Sequence, residues 1–136
     1  WLSNEFWRDE VKSLPYFFLG VASLFALAGM IFGIWMSASG DHTLAGAHAH
    51  NNLVGFVVMS IYGFFYKLVP SAADTTLARV HFWLALLSAL TFGPGIAMAI
   101  LGQGELLVQI SAFAVLLTMA IFAYTVWSNR RGLTNA

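Results

Sequence analysis

The sequence predicts an all-α integral membrane protein, a four-helix up-down transmembrane bundle preceded by an amphipathic segment at the membrane interface. Three observations carry that expectation. First, 60% of the 136 residues are hydrophobic and 9% are charged, against roughly 25% charged in soluble domains. Second, four apolar stretches each reach the about 20 helical residues that a bilayer crossing takes. Third, all six Lys and Arg residues fall on alternate connections, the asymmetry that orients a membrane protein.

The spans follow in order, within a single domain over residues 1–136. The segment WLSNEFWRDEVKSL can lay Trp1, Leu2, Phe6, Trp7, Val11 and Leu14 on the membrane surface. The first span is expected over residues 16–37, entered through Pro15, whose fixed φ suits a first turn. The second covers residues 43–69 and stops at Pro70. The third covers 80–102, with a kink or break at Gly93-Pro94-Gly95. The fourth covers 105–127, capped by Glu105. Gly29 and Gly33 form a small-xxx-small pair suited to helix contact. Arg8, Lys12, Lys67, Arg79, Arg130 and Arg131 lie at one end, and the loops SASGDHT and GQGE carry no base. By the positive-inside rule both termini are cytoplasmic, and a bacterial-type inner membrane is the expected location. The chain begins at Trp1 rather than Met, so further residues are expected before it.

Composition also excludes chemistry. A net charge of zero argues against nucleic-acid binding. The absence of cysteine removes disulfides, thiolate metal sites, iron–sulfur clusters and covalent haem attachment. Any cofactor must be held by His, Met, Asn, Tyr or carboxylate.

The polar residues placed in or beside the membrane are the functional candidates. His42, His48 and His50 lie toward the outer face, with Met36 at the outer end of the first span. His48 and His50 are two residues apart, roughly 200° around a helix, so they serve opposite sides. The His48 side continues through Asn52, Gly55, Met59, Tyr62 and Gly63, which admit a flat group or another helix. Two readings compete: polar contacts between helices, and ligation of a cofactor. His81 opens the third span beside Arg79, and reads as an interfacial histidine tipped toward water. Tyr66, Lys67, Arg79, His81 and Trp83 also form a possible quinol headgroup site, although such residues more often serve as membrane anchors.

The stretch DHTLAGAHAHNNLVGFVVMSIYGFFYKLVP, followed by LARVHFWLALLSALTFGPGIAMAILGQG, resembles the C-terminal part of subunit I of the haem–copper oxidases, a superfamily that includes the nitric-oxide reductases. The resemblance covers about residues 41–104. It implies that His48 matches the proximal ligand of a high-spin haem and His50 an axial ligand of a low-spin haem. The family's copper ligands and its second low-spin haem histidine lie on helices outside this chain, so a complete reductase centre is not implied and no enzyme activity is assigned. The expected function is haem B binding near the outer face, with His50 first and His48 second as ligand to the iron, for electron transfer or diatomic-gas binding. The other axial ligand would come from the second histidine of a neighbouring copy or from Met36, unless the position stays open. Phe56, Val57, Trp35 and Tyr62 are expected to wall the site. The approximate threefold arrangement in the family implies a homo-oligomer, with a trimer favoured. Membrane lipid and a redox partner or quinol are the other partners. Two further readings stand beside it: a copper or other metal site built from His42, His48, His50, Met36 and Asp41, and a structural subunit that binds nothing.

Overall fold

The structure, a computed structural model, describes residues 2–134, with side chains from residue 13 onward. The described residues are helical apart from short connections and contain no strand. In chain order they form α1 (Leu2–Ser39), α2 (Ala45–His50), a π-helical segment (Asn51–Val58), α3 (Met59–Leu68), α4 (Pro70–Ala73), α5 (Thr76–Ile100), α6 (Leu106–Ser128) and α7 (Arg130–Thr134). Three stretches are long and apolar enough to cross a membrane: Ser13–Ser39, Thr76–Ile100 and Leu106–Ser128.

Several boundaries differ from the sequence expectation. Pro15 does not open the first helix but lies inside α1. An internal proline removes one backbone hydrogen bond, and Leu14 and Phe18, both buried in the core, anchor the helix on either side. The side chains of the expected interfacial segment before residue 13 lie outside the described residues, as does Trp1, while its backbone from Leu2 onward is helical and part of α1. The expected second span is not one regular helix, because α2, the π segment and α3 follow one another without a gap. Pro94 does not break α5, which runs through it. Glu105 sits at the N-cap of α6 without capping it, because its side chain accepts no bond from the first-turn backbone. Its Oε2 instead takes the Gln109 amide at 3.4 Å.

Helix ends follow ordinary chemistry. Gly40, at φ 71°, closes α1 in the left-handed region, and its N–H donates to the Met36 carbonyl at 3.0 Å. Asp41 Oδ1 accepts the Thr43 N–H at 2.9 Å and shapes the next turn. The Thr75 hydroxyl accepts the Ala78 N–H at 3.1 Å and caps α5.

Packing is led by small residues. α1 lies along the π segment and α3, α5 packs on α2 and the π segment, and α6 packs chiefly on α5. A Cβ on Gly29 would overlap the Asn52 amide, and one on Gly33 would meet His48 Cε1 at 3.2 Å. A Cβ on Gly63 would press on Phe18 and Leu19 at 3.0 Å, and one on Gly95 would meet the Val108 backbone at 2.8 Å. The expected role of Gly29 and Gly33 in helix contact is therefore seen, with the helix holding His48 and Asn52 as their partner. The buried residues of α6 are Ser111, Thr118 and Thr125, spaced by seven, while Phe113, Leu116 and Trp127 point outward. Each of these hydroxyls donates to a carbonyl of its own helix, at 2.7 Å in all three cases. A polar inner stripe with an apolar exterior is the inverse of a water-soluble helix.

Candidate functional site

His42, His48 and His50 are held differently from one another. His50 ends α2 and is exposed. Its Nδ1 lies 2.9 Å from the Gly46 carbonyl one turn back. A neutral ring donates there from Nδ1 and leaves the Nε2 lone pair free. Phe92 of α5 meets the ring edge-on at 5.5 Å. His48 turns the other way, toward α1, where Phe32 packs against it at 5.7 Å. Its Nε2 pairs with the Asn52 amide at 3.2 Å, and its buried Nδ1 has no hydrogen-bond partner. It lines a groove with Gly29, Gly33, Ser37 and Asn52. The opposed orientation expected from the spacing is therefore present, and the His48 side admits another helix, α1. His42 is exposed, with Nδ1 3.1 Å from the Gly40 carbonyl. Met36 is buried.

The wider turn of the π segment aims successive polar residues at one neighbour. The Asn51 amide donates to the Phe25 carbonyl of α1 at 3.4 Å, while Asn52 faces Gly29 and Gly55 faces the Phe25 ring. π-helical turns often occur at functional positions. Among the described residues, no three His, Cys, Asp or Glu side chains gather closely enough to hold a metal ion. A metal site built from His42, His48, His50 and Asp41 would need rearrangement or donors from another chain.

A second polar centre lies at the other end and was missed from the sequence. His81 is not tipped toward water: it is fully buried, with 0% of its surface exposed. Tyr66 and Tyr62, one turn apart on α3, both reach it. The Tyr66 hydroxyl bonds His81 Nδ1 at 2.9 Å, and the Tyr62 ring lies 4.4 Å from the imidazole. Phe18 of α1, at 5.7 Å, and Phe122 of α6, at 6.4 Å, complete an aromatic box. Tyr62 also pairs with Thr118 of α6 at 3.4 Å. His81 Nε2 is buried without a hydrogen-bond partner.

This geometry corrects three expectations. His81 and Tyr66 are core residues, not membrane anchors. The proposed quinol cluster is divided, because Trp83 and Lys67 face outward while Tyr66 and His81 face inward. Tyr62 belongs to the His81 box and does not wall a site at His50. Trp35, Phe56 and Val57 remain exposed apolar surface. The missed signal was the pairing of Tyr62 and Tyr66 at i,i+4 with the seven-residue spacing of Thr118 and Thr125.

No family model matches the chain, and no solved structure matches it.

Proposed function

We propose that the chain is a membrane-spanning four-helix bundle that binds haem B non-covalently near the end carrying His50, in a ring of identical copies, and serves in electron transfer or diatomic-gas binding. One observation carries the reading. His50 Nδ1 is tied to the Gly46 carbonyl in a residue that stays exposed. A ring nitrogen bonded to a backbone carbonyl fixes the tautomer and orients the other nitrogen as a metal ligand.

The donor set fits this group in part. His50 would be the first axial ligand. His48 can serve only if the Asn52 amide releases its Nε2. The two rings face different helices, so one haem cannot take both from the same chain. The second ligand would then come from a neighbouring copy, a heterologous contact that closes into a ring, and a trimer follows the oxidase-like resemblance. When bound, the haem would supply a one-electron couple or an open coordination position. Gly46 orients His50, and Phe92 packs its ring edge.

The test is a reduced-minus-oxidised visible spectrum of the protein in mild detergent after addition of haem B, with and without carbon monoxide. The expected result is a b-type spectrum that His50→Ala abolishes without loss of helix content. A spectrum unchanged in His50→Ala, or monomers alone after cross-linking, overturns the assignment.

A further inference from the structure

We propose that the cleft between α1 and the start of α5 binds one anionic phospholipid, its phosphate at Arg79 and Ser13 and an acyl chain along Phe17, Phe82 and Leu86. This rests on the membrane-spanning reading and is independent of the haem. The cleft has a volume of about 430 Å3, inside the about 300–1,000 Å3 of small-molecule sites. Its walls are apolar except at one end, where Arg79 and Ser13 supply the polar groups.

The order of residues along α5 matches a lipid from head to tail. Arg79 lies in the first turn, and Leu86 is seven residues further along, about 10 Å deeper at 1.5 Å per residue. Trp83, 61% exposed, faces outward beside the opening, where Trp and Tyr side chains sit at the headgroup level. A guanidinium carries five donors, enough to take phosphate oxygens beside its existing contacts. Among the described side chains, the surrounding end carries Lys67, Arg79, Arg130 and Arg131 against the single acid Asp74. A Cβ on Gly132 would meet Val69 at 3.0 Å, which brings Arg130 and Arg131 of α7 beside the turn holding Lys67. Basic pockets between transmembrane helices bind anionic headgroups. A phosphate takes both the charge and the donors of the guanidinium, whereas a neutral quinone carbonyl takes only the donors.

Membranes holding the full chain are first washed with alkaline carbonate; release of the chain overturns the membrane reading itself. The retained protein, purified in mild detergent with equal phosphatidylglycerol and phosphatidylcholine, then goes to native mass spectrometry. The expected result is one phosphatidylglycerol kept at collision energies that strip phosphatidylcholine. Arg79→Gln is expected to lose that preference, and Leu86→Trp, which fills the cleft, to lose the retained lipid. Equal retention of the two lipids, retention unchanged in Leu86→Trp, or an isoprenoid quinone held in the lipid's place each overturns the lipid site. Leu86→Trp keeps the test decisive if Arg79→Gln does not fold.

Discussion

Tyr66→Phe isolates the hydrogen bond at the centre of the His81 box. The change removes one hydroxyl and keeps the ring that stacks on Phe18 at 5.5 Å. It leaves His81 Nδ1 without its 2.9 Å partner, in a ring whose Nε2 already lacks one. With His81 at 0% exposure, water cannot replace the lost hydroxyl. An orphaned buried acceptor costs about 1–3 kcal/mol, whereas interhelical hydrogen bonds in membrane proteins average about 0.6 and reach about 1.7 kcal/mol. Complete burial places Tyr66→Phe where the two ranges overlap, at about 1–1.7 kcal/mol. The assay is unfolding in mixed micelles with a rising detergent denaturant fraction, followed by circular dichroism. His81→Phe and the double variant complete a cycle. Replacing both partners by apolar groups can be nearly neutral, so the double variant is expected to be more stable than the sum of the singles implies. Additivity within the about 0.3–0.5 kcal/mol seen for independent sites would refute the hydrogen bond as a source of stability.

Two further predictions test other contacts. Gly55→Ala should destabilise by about 1–3 kcal/mol through overpacking, because the new Cβ would overlap the Phe25 ring. In an unpacked helix the same change stabilises by roughly 0.5–1 kcal/mol, so a gain in the unfolding titration would refute the close approach of α1. The Thr43 hydroxyl and backbone N–H hold the Asp41 carboxyl below the usual carboxylate range. A lowered folded value stabilises the Gly40–Thr43 turn above the usual carboxylate titration, and that support is lost as pH falls through the lowered value. Amide exchange at Thr43 should therefore lose protection in acid, and Asp41→Asn should remove that dependence.

Much of the helical layout was legible in the sequence. Three of the four expected apolar stretches, 16–37, 80–102 and 105–127, fall on helices long and apolar enough to cross a membrane, because apolar length is a local property. The opposed directions of His48 and His50 were legible for the same reason, since a two-residue step on any helix separates the faces. The contact role of Gly29 and Gly33 was legible from their four-residue spacing. Their partners were not, because Asn52 and His48 reach them only after the chain has turned back along α1.

The sequence by itself determined a helical chain with stretches apolar enough to cross a bilayer, and its cysteine-free donor chemistry. Those follow from composition and from the need of each apolar segment to satisfy its own backbone. Tertiary structure alone decided that α2 and α3 are joined through a π segment, that Pro94 is carried within α5, and that Glu105 leaves α6 uncapped by its side chain. It also decided the state of His81. Beside Arg79 the residue reads as interfacial, yet Phe18 from α1, Tyr62 and Tyr66 from α3, and Phe122 from α6 close over it. Burial of a side chain is set by what other helices bring to it, and no local pattern around residue 81 contains that information.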